Sequence, residues 1–330
     1  MVAQLNWLYI QTRPYKVLPR LFSYALFEGR PVTTKGRWIN PLVFTLFNIE
    51  KSLPAIKKVE KPIFIVGTGR SGSTLLGVLL SLHPNVAFLN EPKALWHSIY
   101  PLEDLTGSYG QNKAFYHLTE KEVTDKIRQV ARRLFGFYLA TTGSKRVVDK
   151  YPEMIFRVPF IRAIFPDAKF IFLVRNGWNT CQSIAKWSDR FGTYENSTVS
   201  DWWGIDNRKW NLLVEQLVYQ DSDFQDIQTK VKSFDSHVDK GAVEWIVTMK
   251  QGLKYMQQNP LNFYQLRYEE LTSNPIKSLT KLLEFCELPY DQKLIDYACQ
   301  TISPSVSSNS VTINPVIRPL FEETMYQLGY

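Results

Sequence analysis

The chain has 330 residues, 45% hydrophobic and 21% charged, enough to bury one large α/β core with decorations or two small ones. Its three cysteines (Cys181, Cys286, Cys299) show no CxxC spacing, and its four histidines form no HExxH pattern, which excludes a zinc site and a disulfide framework, so no metal is expected. A net charge of +8 suits an anionic ligand, a nucleic acid or an acidic membrane surface without choosing among them.

Residues 1–60 read as a basic and aromatic extension that packs on a main domain of residues 61–330. Within it, residues 5–48 mix Trp7, Tyr9, Leu18 and Phe22 with Arg13, Lys16 and Arg20. That mixture predicts a helical pair on the main domain, with peripheral membrane contact as the alternative. No apolar run reaches the roughly 18 residues that span a bilayer. Met1 to Gln11 lacks the charge and apolar pattern of a signal peptide. A cytoplasmic protein is expected, membrane-associated if the extension binds lipid.

The first clear strand is Ile63-Phe64-Ile65-Val66, continuous and apolar as in a central parallel strand. A glycine-rich turn leads into a helix over 74–82, which His83-Pro84-Asn85 stops. A second strand, Val86-Ala87-Phe88-Leu89, ends at Asn90-Glu91-Pro92. The capping pattern at Thr119-Glu120-Lys121-Glu122 predicts a helix over 119–140. Then come a strand at 146–149, a helix over 153–165, a strand at 169–174, helices over 178–187 and 243–258, and a strand at 263–266. A final long helix is expected from Pro275 to Glu287. Alternation of strands and helices predicts an α/β fold: a P-loop-type three-layer sandwich whose central, mostly parallel sheet of about five strands is covered by helices. Residues 188–240, rich in Trp and charge, read as an insertion, and 303–310 as a serine-rich loop.

The strand, glycine turn and helix start around Gly67-Thr68-Gly69-Arg70-Ser71-Gly72-Ser73-Thr74 form an anion site from backbone alone, because the first N–H groups of a helix lack internal partners. The spacing nearly satisfies GxxxxGK[ST], but Ser73 occupies the lysine position. Without that lysine, ATP or GTP hydrolysis is disfavoured. A second cation, Arg175, stands at the carboxyl end of the 169–174 strand, where open α/β sheets bind ligands, and Ser183 follows eight residues on.

These segments, with His83-Pro84-Asn85-Val86 and Glu91 after the loop, resemble the 5′-phosphosulfate loop of the sulfotransferase family that uses 3′-phosphoadenylyl sulfate (PAPS). The similarity is to its bacterial, Golgi and tyrosylprotein branch. The cytosolic branch has Lys where Arg70 stands. The resemblance implies that Gly69, Arg70, Ser71, Gly72, Ser73 and Thr74 hold the 5′-phosphosulfate, and that Arg175 and Ser183 hold the 3′-phosphate. It also implies that Tyr268, in Leu266-Arg267-Tyr268-Glu269-Glu270-Leu271, lies near the adenine. Ser307 is a candidate for the 3′-phosphate cover, although the family's GxxGxxK pattern is missing there. PAPS would be the donor and adenosine 3′,5′-bisphosphate the product.

For the chemistry, the resemblance points to Glu91 as general base, with His97 as rival, and to Lys150, in Asp149-Lys150-Tyr151-Pro152, facing the leaving group, a task Arg70 could share. Trp187, Trp202, Trp203 and Trp210, with Arg190, Arg208 and Lys209, suit a carbohydrate, glycolipid or other small-molecule acceptor with a hydroxyl or amine. No nucleic-acid partner is expected, and nothing indicates an oligomeric state. Two other classes stay open: an ATP- and magnesium-dependent small-molecule kinase with a degenerate phosphate loop, and a binding protein that has lost catalysis.

Overall fold

Runs of β-branched and aromatic residues become strands buried on both faces, as sheets covered by helices require. In the computed structural model, which describes residues 2–195, 197–304 and 311–330, they form β1 (Ile63–Gly67), β2 (Val86–Asn90), β3 (Arg146–Lys150) and β4 (Lys169–Val174). Three short strands, β5 (Thr193–Glu195), β6 (Thr198–Asp201) and β7 (Gly204–Ile205), make a separate antiparallel ribbon. With β8 (Phe263–Arg267) the main sheet has the order β2-β3-β1-β4-β8, every pair parallel.

The helices are α1 (Trp7–Thr12), α2 (Val17–Phe22), α3 (Asn40–Ser52), α4 (Ser73–Ser81), α5 (Lys93–Ile99), α6 (Asp125–Thr142), α7 (Val158–Ile164) and α8 (Gly177–Phe191). They continue with α9 (Arg208–Gln216), α10 (Gln228–Lys232), α11 (His237–Gln258), α12 (Tyr268–Ser273), α13 (Pro275–Phe285), α14 (Gln292–Thr301) and α15 (Arg318–Gln327). Successive residues of β1 point to opposite faces. Phe64 and Val66 join a core with α6, α7 and α11, while Ile63 and Ile65 join another with α4, α13 and α14. The expected three-layer α/β sandwich is therefore the fold, with its five-stranded sheet wholly parallel.

Several boundaries differ from expectation. The capping box at Thr119 forms, with the Thr119 N–H donating to Glu122 Oε2 at 2.6 Å, but it closes only a single turn. Thr124, in extended backbone, starts the long helix by accepting from the Ile127 N–H at 3.2 Å. The segment at 153–165 divides into a 3-10 stretch, Pro152–Arg157, and α7. The helix beginning at Pro275 is not the last, because α14 and α15 follow.

The N-terminal residues form more than a helical pair: short helices α1 and α2 are followed by the longer α3. Lys16 is buried and donates to the carbonyls of Pro84 and Val86, both at 2.8 Å. The buried Arg20–Glu28 pair reaches the sheet, where Glu28 Oε1 accepts from the Asn90 N–H at 2.8 Å, next to the end of β2. Arg20 and Glu28 offset each other's burial, whereas Lys16 has only carbonyl partners and burial lowers its pKa to about 8. Among the described residues, no helix is long and apolar enough to cross a membrane.

Candidate active site

The parallel sheet delivers β1, β2, β3 and β4 to one edge, and the polar residues following each strand converge there. The β1–α4 turn is the centre. Gly72 takes φ +92° and a Cβ placed on it would lie 2.3 Å from the Tyr268 ring; one on Gly69 would lie 2.3 Å from the Trp202 ring. Only glycine permits that backbone and that approach. Arg70 itself adopts φ 65°, an uncommon and strained choice for a residue with a side chain. Ser71 Oγ donates to the Thr68 carbonyl at 2.6 Å and holds the turn closed. Ser73 and Thr74 begin α4, leaving its first N–H groups facing the turn.

Arg175 extends from β4 back onto this turn. Its Nη1 donates to the Arg70 carbonyl at 2.9 Å, its guanidinium lies 4.5 Å from the Tyr268 ring centroid, and Trp245 Nε1 donates to its carbonyl at 3.1 Å. Ser183, on α8, accepts from Arg70 Nε at 3.3 Å, so it faces Arg70 rather than Arg175. Tyr268 is the first residue of α12 and packs on Gly72. Ser307 lies outside the described residues.

Among the described residues no carboxylate pairs with Arg70 or Arg175. Nearby Glu269 is otherwise occupied, accepting from the Asn176 N–H at 3.0 Å and from the Tyr330 hydroxyl at 2.7 Å. Arg175 Nε and Thr68 Oγ1 are buried without a partner. Burial lowers the Arg70 pKa, and the adjacent Arg175 adds to that although Glu91 opposes it. Two guanidiniums, a helix start and orphaned donors around one turn make a cradle suited to an anion.

Beside the cradle, Glu91 follows β2 and Lys150 ends β3. Lys150 Nζ, 2% exposed, donates to Glu91 Oε1 at 2.5 Å, and Lys93 Nζ lies 3.6 Å from Glu91 Oε2. Their backbones also meet, with the Glu91 N–H on the Lys150 carbonyl at 2.7 Å. Glu91 has φ 51°, a second strained residue at the same edge. Burial pushes its pKa up, but the Lys150 and Lys93 ammoniums outweigh that and hold the carboxyl below its ordinary value. Asp149 points to the opposite face, where it accepts from Trp96 Nε1 at 2.7 Å and burial raises its pKa to about 8. His97 is set into an aromatic cluster with Phe44 and Tyr109, away from Lys150, and burial lowers its pKa.

A cleft of about 130 Å³ opens from Gly69 and Glu91 between the main sheet and the 188–240 region. Lys93, Glu153, Trp187, Trp202 and Lys209 line it, and Pro31 to Thr34 from the N-terminal segment close one side. Buried Lys209 bridges Glu244 at 2.5 Å and Glu153 at 3.1 Å, and Trp202 Nε1 donates to Glu244 at 2.7 Å. The Lys209 ammonium also lies 4.6 Å from the Trp202 ring centroid. Burial pushes the Glu153 carboxyl up, but Lys209 and Lys93 bring it down to about 2. Trp202 faces the cleft, whereas Trp203 and Trp210 are buried against each other as core.

Residues 62–224 match the sulfotransferase family. Over that segment, just under half of its length, the chain is similar to that family. The match covers every residue assigned above to donor binding or chemistry except Tyr268 and Ser307. Protein-tyrosine sulfotransferase 1 of Danio rerio is 28% identical over 173 residues, covering 51% of this chain and 47% of the relative. The protein-tyrosine sulfotransferase of Drosophila melanogaster is 26% identical over 266 residues, covering 77% of this chain and 51% of the relative. The chain thus spans about half the length of these curated relatives. A sulfotransferase of Mycobacterium avium solved by crystallography shares the fold with TM-score 0.52 at 12% identity, over 96% of this chain and 91% of that one.

The sequence offers Lys93 only as an ion-pair partner for Glu91, and Glu153 and the strip Pro31 to Thr34 were missed. Lys93 is two residues past Glu91, and Glu153 three past Lys150, so reading on beyond each strand end would have found them. Pro31 to Thr34 carried no local signal. They reach the cleft through packing across the fold.

Proposed function

We propose that the chain is a PAPS-dependent sulfotransferase that passes a sulfuryl group to a hydroxyl or amine acceptor lodged in the Trp202 cleft. The observation that carries this reading is the unneutralised pair Arg70 and Arg175 on the Gly69–Thr74 turn, set beside the ion-paired Glu91 and Lys150. PAPS, when bound, supplies the sulfuryl group and a phosphate leaving group. The backbone and hydroxyls of Ser71, Ser73 and Thr74, with Arg70, hold its 5′ end, and Arg175 holds its 3′-phosphate, which Ser183 joins only by giving up Arg70 Nε; Tyr268 flanks the adenine.

Glu91 takes the acceptor's proton. Its ionised state at neutral pH leaves it ready to do so, and its strained backbone fixes the carboxylate at the mouth of the cleft. Proton arrival neutralises Glu91 and so frees the Lys150 ammonium for charge developing on the leaving oxygen. A cation placed where charge appears only in the transition state stabilises that state selectively. Trp202 and Trp187 offer apolar faces to the acceptor, and Glu153 and Lys209 offer polar edges. A carbohydrate or other small polyol fits such a lining.

Calorimetry with adenosine 3′,5′-bisphosphate tests the donor assignment. The parent protein should bind it, and Arg175→Ala should bind at least about tenfold more weakly, because a charge-assisted contact to phosphate is lost. No binding by the parent would overturn the donor assignment, and activity with ATP and magnesium but none with PAPS would replace this reading with that of a kinase.

A further inference from the structure

Residues 1–58 hold nine lysines and arginines against only Glu28 and Glu50, so they carry seven of the chain's eight net positive charges. Both acids are buried, Glu28 on Arg20 and Glu50 in the core face of α3. Lys16, Arg20 and Arg30 are buried too and Arg13 pairs with Asp291, so the outer surface of this segment draws its charge from Lys35, Arg37, Lys51, Lys57 and Lys58, with no exposed acid of its own. It is also unusually apolar. Trp38 is 82% exposed, Leu42 58% and Ile49 53%, with Leu53 and Ile56 exposed beyond the helix.

Spacings of four, three and four residues (Trp38, Leu42, Thr45, Ile49) place these side chains on one stripe of α3 and the turn leading into it. Val43, Phe47 and Glu50 occupy the opposite, buried face. The helix is thus apolar on both sides, and only one side has a partner within the fold. An apolar stripe rimmed by Lys35, Arg37 and Lys51, with no exposed acid between residues 1 and 58, has the chemistry of a helix lying in the interface of an anionic bilayer. Such a face is not needed for solubility, which it opposes.

We propose that the outer face of α3 docks this protein on anionic membranes. The stripe begins four residues after Thr34, which lines the acceptor cleft, so the cleft mouth lies within about 14 Å of chain from Trp38. Docking therefore brings the cleft to the level of lipid headgroups, and on the sulfotransferase reading the acceptor is headgroup-borne. That last consequence rests on the proposed function; the docking does not.

Sedimentation with vesicles of equal parts phosphatidylcholine and phosphatidylglycerol tests the docking, with pure phosphatidylcholine for comparison. The full chain should bind the anionic vesicles, more weakly as salt rises, and bind phosphatidylcholine poorly. A Trp38→Ser, Leu42→Ser, Ile49→Ser variant should partition at least about tenfold more weakly. Its melting temperature and its affinity for adenosine 3′,5′-bisphosphate should match the parent's, because all three residues are exposed and outside the cleft. Failure of the parent to bind anionic vesicles, or equal binding by the triple variant, overturns the proposal. So does a parent dimer that the triple variant converts to monomer, which would make the stripe a contact between copies. Loss of nucleotide binding with vesicle binding intact would instead count against the sulfotransferase reading alone.

Discussion

Replacing Glu91 with Gln keeps the side chain's size and removes both its basicity and its charge. A positioned general base contributes about 10² to 10⁴ in rate, so kcat should fall by that factor, roughly 3 to 5 kcal/mol of barrier. Affinity for adenosine 3′,5′-bisphosphate should hold or improve, since a carboxylate beside the phosphate cradle is gone. The same change strips Lys150, 2% exposed, of the partner it holds at 2.5 Å. Breaking a fully buried pair costs about 3 to 5 kcal/mol, but Glu91 is 38% exposed, so a loss nearer 1 to 3 kcal/mol of stability is expected. Lys150→Met is the companion. It leaves burial of Glu91 opposed only by Lys93, so the Glu91 pKa rises. In the parent, the rate should be flat with pH across the neutral range and fall only below the ordinary carboxylate range. In Lys150→Met a slower rate should acquire an acid limb at higher pH. Single-turnover transfer from radiolabelled PAPS to a screened acceptor measures both variants. Retention of more than a tenth of the parental kcat by Glu91→Gln refutes the base assignment. An unmoved acid limb in Lys150→Met refutes the coupling.

Gly72→Ala imposes a left-handed backbone costing about 1–2 kcal/mol on a residue with a side chain, and its methyl meets the Tyr268 ring. Calorimetry should show a loss of nucleotide affinity of at least about tenfold, and adding Tyr268→Ala should recover part of the lost melting temperature. Lys209→Met leaves Glu153 and Glu244 buried without their shared cation, and urea unfolding should report a loss of about 3 to 5 kcal/mol. Glu50 has both carboxylate oxygens buried and unpartnered, and burial raises its pKa to about 8. It is protonated when folded and ionised when unfolded at neutral pH. Its contribution is therefore fully present below the unfolded value and lost as pH rises toward about 8. Glu50→Gln should flatten that decline, by on the order of 3 kcal/mol across the window, in urea unfolding followed at several pH values.

The sheet, the glycine turn and the two ends that carry Glu91 and Lys150 were readable in the chain because each is a local pattern. A parallel strand is a run of apolar residues, and the turn after β1 is a spacing of glycines. The sequence-level reading of α6 failed at its start because two successive threonines both cap, and only the geometry of Thr124 shows which one begins the long helix. Helices α14 and α15 were missed because their amphipathic patterns are short and lie beside a serine-rich loop.

What a linear chain determines are residue types at fixed separations, which is enough for a strand–turn–helix anion site. Which charges remain unpaired depends on distances across the fold. Tertiary packing decided that Arg175 meets the Arg70 carbonyl and no carboxylate, that Ser183 faces Arg70, and that Glu91 is held ionised by Lys150. It also folded Pro31 to Thr34 onto the Trp202 cleft and left the apolar outer face of α3 uncovered. Those outcomes come from burial and from long-range contacts between residues dozens to hundreds of positions apart, which no local pattern records.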